Sequence, residues 1–109
     1  TIAYFDIEGY RIDGATGVWV NSSVDKKPKK IAAFGVKTSR WVTMHGFALN
    51  VNVDLNYFNF INPCGFTDKG VTSIAQELKS KGAEISVDMV KRVLIPNFAE
   101  VFSAQIITD

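Results

Sequence analysis

The chain has 109 residues, with twelve basic and eleven acidic side chains and a net charge of +1. That length fits one domain, and the charge balance gives no electrostatic ground for a nucleic-acid partner or an anionic membrane. No apolar run reaches the ~18–20 residues that cross a bilayer, and a single cysteine excludes an internal disulfide, which suits a reducing, cytoplasmic setting.

Ile2, Phe5 and Glu8-Gly9 fit the last turns of a helix closed by Gly9. A chain that starts inside a helix is what a piece of a longer protein would show. Tyr10 and Ile12 read as a short strand that turns at Asp13-Gly14. Thr16-Gly17-Val18-Trp19-Val20 reads as a second strand, since β-branched and aromatic residues cluster there. Asn21 to Pro28 is polar and forms a hairpin loop, with Lys26, Lys27 and Lys29 solvated around the proline.

Lys30 stands apart because an apolar run follows at once: Ile31-Ala32-Ala33-Phe34-Gly35-Val36. The run alternates poorly, which predicts a strand buried on both faces. A lysine at its mouth either snorkels to water or is partly desolvated, where it would favour ionisation of a nearby thiol. Thr38-Ser39-Arg40 is a turn, and Trp41 to Met44 a further short strand. After His45-Gly46, residues Phe47 to Val53 alternate with period two and read as another strand. His45, the sole histidine, is either a hydrogen-bonded structural residue or a base.

Asp54 can N-cap a short helix, Leu55 to Ile61, which must end before Asn62-Pro63. Cys64 follows, between Pro63 and Gly65, on a turn that can expose a nucleophile and bring backbone donors near it. The alternative is a buried core cysteine, since free Cys is among the most buried residue types. Thr67-Asp68-Lys69-Gly70 is a turn. Thr72-Ser73 caps a helix from Ile74 to Lys79, with Ser73 and Gln76 at the spacing of a capping box; Lys81-Gly82 ends it. Ser86 caps a third helix. Its apolar stripe is Val87, Val90, Val93, Leu94, Phe98, Val101 and Phe102, and Pro96 is expected to kink or split it. Ile106 to Asp109 is a frayed end. The order of elements predicts an α+β fold, a mixed or antiparallel sheet with flanking helices.

Zinc needs about four ligands, and one cysteine and one histidine make a weak set. No Walker A motif, Gly-x-Gly-x-x-Gly or Gly-x-Ser-x-Gly elbow occurs. The remaining constellation is Cys64 with a base from elsewhere, His45 or Lys30. No metal or cofactor is called for.

Five blocks in order carry a resemblance: Thr16 to Val20, Lys30 to Val36, Trp41 to Asn52, Pro63-Cys64-Gly65 and Val71-Thr72-Ser73. Together they resemble the C-terminal half of the lipoyl(octanoyl) transferases. The resemblance implies a fold like part of the biotin and lipoate protein ligase catalytic domain. It implies acyl transfer, in which an octanoyl group passes from acyl carrier protein to a lysine of a lipoyl domain through a thioester on Cys64. The implied acceptors are the lipoyl domains of 2-oxoacid dehydrogenases and the glycine cleavage H protein. Lys30 corresponds to the family's lysine, which lowers the cysteine's pKa and takes part in proton transfer. Ala33-Phe34-Gly35 and Gly46-Phe47-Ala48 correspond to its acyl-binding backbone. Burial gains about 0.8 kcal/mol per CH₂, so an eight-carbon tail contributes roughly 5 kcal/mol in an apolar slot, and Gly35, Gly46 and Ala48 are small enough to let it lie against the backbone. The family's earlier Arg-Gly-Gly and Tyr-His-Gly-Pro-Gly regions have no counterpart here. The chain then corresponds to about the latter half of such an enzyme, with part of the site missing from this piece. The alternatives are an ATP-dependent enzyme of the lipoate–protein ligase type, which needs no nucleophilic cysteine, and a non-catalytic binding module.

Overall fold

A computed structural model describes residues 1–23, 25–55, 70–82 and 84–107. The expected helix from residue 56 to Ile61, the turn at Thr67-Asp68-Lys69 and Cys64 itself lie outside the described residues. The architecture is α+β. Strands β1 (Tyr10–Ile12), β2 (Ala15–Asn21), β3 (Pro28–Ser39) and β4 (Val42–Leu49) form an antiparallel sheet in that order. A short β5 (Gly70–Val71) pairs in parallel with Lys29 and Lys30, so the sheet is mixed. Helices α1 (Ile74–Glu77) and α2 (Val87–Phe102) follow.

The N-terminal turn is shorter than the sequence suggests. It is a 3-10 helix, Ile2–Phe5, closed by Asp6 in the left-handed region rather than by Gly9. Gly9 serves packing instead. A Cβ there would come within 2.6 Å of the Ile2 Cδ1 methyl and 2.9 Å of a Val18 methyl, so a larger residue would push both side chains aside.

The hairpin from β3 to β4 also departs from expectation. β4 is one strand and Gly46 does not interrupt it; eight consecutive pairs run from Ala32↔Leu49 to Ser39↔Val42. The strand expected to reach Val53 leaves the ladder after Leu49. The turn falls on Arg40 and Trp41, both with positive φ (51° and 68°). A two-residue hairpin loop needs that backbone to match the strand twist, and bulky residues adopt it at a cost. The expectation that β3 is buried on both faces fails past Ala32, because Ala33, Phe34 and Gly35 are exposed.

The core gathers Val20, Ile31, Val51, Ile74, Leu78 and Val90 between the sheet and the helices. α1 ends at Glu77, two residues short of Lys79, and a 3-10 turn Lys79–Lys81 carries on to Gly82, which takes the left-handed cap. Ser73 and Ser86 each accept from the backbone N–H three residues on, at 3.0 and 3.2 Å, so both N-caps form as read. Pro96 does not split α2, which runs unbroken through it. The apolar stripe of α2 is buried at Val90 and half-buried at Val93 and Leu94. Val101 and Phe102 at its end stay exposed.

Candidate functional site

The site is built on a register change. Val18 pairs with Ala32, but Trp19 pairs with Lys30. One step along β2 matches two along β3, so Ile31 is the extra residue of a β-bulge. A bulge re-aims the side chains on either side of it. Ile31 and Ala32 both turn into the core, and Lys30 turns to the opposite face with its partner Trp19. Alternation along the regular β3–β4 ladder then puts Ala33, Gly35, Gly46 and Ala48 on that same face. The bulge therefore aligns Lys30 with a floor of small residues.

Nothing covers that floor among the described residues. A Cβ built on Gly35 or Gly46 would meet no atom within 4 Å. Ala33 faces Ala48 and Gly35 faces Gly46 across the ladder. The two tripeptides that the resemblance assigns to acyl binding are thus cross-strand partners along their whole length. Their central residues point the other way: the Phe34 and Phe47 rings stack at 5.5 Å on the reverse face. There they line an apolar groove of about 220 Å³ with Ile2, Val18, Leu49 and Leu94.

Lys30 is half-buried. Its ammonium lies 5.2 Å from the centre of the Trp19 ring, a cation–π distance. Its backbone carbonyl accepts from the Thr72 N–H at 2.9 Å, just past its pairing with Val71. The chain thus rejoins the sheet beside Lys30, and Gly70 follows Cys64 by six positions. His45 pairs by its backbone with Val36, further along the same ladder.

The loop before β3 is fixed separately. Lys26 N–H donates to the Ser22 carbonyl at 2.9 Å, and Ser22 N–H to the Lys27 carbonyl at 2.9 Å. The buried Glu77 carboxylate accepts the Ser23 backbone N–H at 3.1 Å. The Lys27 amide, and then the Lys29 ammonium 3.4 Å away, hold the Asp25 carboxyl below its ordinary value. Lys29 is thereby committed to an ion pair rather than simply solvated. Sequence reading misses the bulge at Ile31 and the pairing of Lys30 with Trp19. The poor alternation of the Ile31-Ala32 run is the available signal, and it also fits two-sided burial.

Comparison with known proteins is decisive for the family. Residues 2–99 match the family described as lipoyl protein ligase A/B catalytic domain. The chain belongs to this family. Among its relatives, an octanoyltransferase of Parabacteroides distasonis is 53% identical over 102 residues, covering 94% of this chain and 45% of the relative. One from Cytophaga hutchinsonii is 53% identical over 106 residues, 97% of this chain and 42% of the relative. One from Porphyromonas gingivalis is 52% identical over 103 residues, 94% of this chain and 20% of the relative. The chain spans less than half the length of these relatives. Family membership agrees with the α+β fold and with the resemblance read from the five sequence blocks. No described helix is long and apolar enough to cross a membrane.

Proposed function

We propose that this chain is the C-terminal part of an octanoyltransferase catalytic domain, acting in protein lipoylation in the cytoplasm. Its donor is octanoyl-acyl carrier protein and its acceptor a lysine of a lipoyl domain. In the first step the Cys64 thiolate attacks the thioester carbonyl, a new thioester forms, and the donor thiolate leaves and takes up a proton. In the second the acceptor amine attacks, an amide forms, and Cys64 leaves as thiolate while the amine gives up its proton. Thioester exchange is nearly isoenergetic, and free Cys at about 8.5 is only a few per cent thiolate at neutral pH, so a neighbouring ammonium helps. Lys30 is that group. A lysine that yields and regains a proton serves both steps.

One observation carries this reading: the bulge at Ile31 turns Lys30 onto the same face as Ala33, Gly35, Gly46 and Ala48. A cation beside an open floor of small residues suits an acyl tail lying along the strands with its carbonyl near the lysine. Phe34 and Phe47 contribute through their backbone, since their rings face away. The relatives from Parabacteroides, Porphyromonas and Cytophaga are octanoyltransferases, which supports the same reaction.

The test is intact mass of the full-length chain after incubation with octanoyl-acyl carrier protein. An octanoyl adduct on Cys64, lost in Cys64→Ser and formed slowly in Lys30→Ala, is the expected result. Transfer that ignores Lys30→Ala would remove Lys30 from the mechanism. Labelling that needs ATP and survives Cys64→Ser would favour a ligase. No adduct at all would favour a binding module.

A further inference from the structure

Lys30 is held by two residues of β2 that have no part in the reaction as proposed. A Cβ on Gly17 would lie 2.5 Å from the Ala32 carbonyl oxygen and 3.2 Å from both Cδ and Cε of Lys30. The Lys30 stem therefore runs through the space that a side chain at 17 would fill, and the Gly17 φ of +127° favours glycine. Beyond it the ammonium reaches the face of Trp19, its cross-strand partner. That indole is itself fixed. It is 3% exposed, and its Nε1–H donates to the Ala15 carbonyl at 3.0 Å. Among the described residues no carboxylate makes an ion pair with Lys30.

We propose that Gly17 and Trp19 are positioning residues for Lys30, the glycine opening a channel for its stem and the indole face holding its ammonium over the acyl floor. The inference rests on the reading of Lys30 as the proton-handling group. A ring face suits that role better than a carboxylate would. It attracts the cation through its quadrupole yet neither neutralises the charge nor competes for the proton. Its hold is electrostatic, so it relaxes when the ammonium gives up its proton, and the neutral amine is then free to move toward the acceptor.

The test is a double-mutant cycle on the full-length chain, reading kcat and KM for adduct formation on Cys64 from octanoyl-acyl carrier protein. Trp19→Phe keeps a ring face and stays within about threefold of the parent, whereas Trp19→Leu lowers kcat roughly tenfold with KM unchanged. In a Lys30→Met background Trp19→Leu adds no further loss, because the two residues act as one unit. Losses that multiply, or a Trp19→Leu protein with the parent's kcat, overturn the inference. A Lys30→Met protein with the parent's kcat overturns the role of Lys30 itself, a separate result. Should Trp19→Leu not fold, fluorinated tryptophans incorporated at position 19 alone weaken the ring face without changing its shape appreciably. A stepwise fall of kcat with fluorine count supports the inference, and a flat series overturns it.

Discussion

The side-chain amide of Asn50 donates to the carbonyl of Thr72 at 3.1 Å, while the Asn50 backbone donates to the Ile31 carbonyl at 2.9 Å and accepts from the Ile74 N–H at 3.0 Å. One residue thus joins the bulge beside Lys30, the chain that follows Cys64 and the start of α1. Asn50→Ala removes the side-chain bond and is expected to cost about 1 kcal/mol. Asn50→Asp sets a carboxylate against a carbonyl and costs more. Urea unfolding midpoints of the two variants check the order.

Gly46→Val tests the floor. The site has space for the side chain, and valine suits a strand, so thermal stability holds. Displacing two methylenes of the tail, at about 0.8 kcal/mol each, weakens acyl loading by roughly tenfold or more. A full octanoyl adduct on this variant, seen by intact mass, would move the tail elsewhere.

Arg40 and Trp41 form the β3–β4 turn in left-handed backbone, and Trp41 is fully exposed at 101%. Replacing the pair by Asn-Gly supplies the residues such a turn favours. Relief of roughly 1–2 kcal/mol per residue is the upper expectation, and the melting temperature should rise. The exposed indole contributes no packing that would offset the gain.

Thr72 is 1% exposed and its hydroxyl has no hydrogen-bond partner among the described residues. A buried, unpaired hydroxyl costs about 1–3 kcal/mol. Thr72→Val keeps the shape and removes the polar atom, so it should stabilise the protein in a denaturant titration. An unchanged or lower midpoint would mean that the hydroxyl finds a partner in solution.

Local signals read true where a single residue carries them. Ser73 and Ser86 cap helices because a hydroxyl reaches the third amide on, and Gly82 closes a turn because it lacks a Cβ. The polar stretch expected as a hairpin loop does join β2 to β3, but Asn21 and Pro28 at its two ends already pair as strand residues. Tertiary structure decides the rest. The run from Ile31 to Val36 reads as two-sided burial, yet its poor alternation marks a bulge, and only pairing with β2 reveals the extra residue. Arg-Trp gives no turn signal of the Asn-Gly kind, so the sequence places the turn two residues early. Pro96 should break a helix by losing one donor, but neighbouring turns hold α2 together across it. For the candidate site, Lys30 and the two small-residue segments are visible in the sequence. Their common face is not, since it depends on the register of three strands.

β3 has two neighbours in series along one flank: β5 beside Lys29 and Lys30, and β4 from Ala32 onward. The seam between them falls at Ile31, bridged by the Asn50 amide. A pull on the chain at Gly70 would load the bonds at Lys29 and Lys30 and, through the Thr72 carbonyl, Asn50 at the end of β4 as well. The short strand that begins at Gly70 is thus fastened both to the backbone of Lys30 and to the end of the ladder that carries the small-residue floor, and it ties the two halves of the proposed site together.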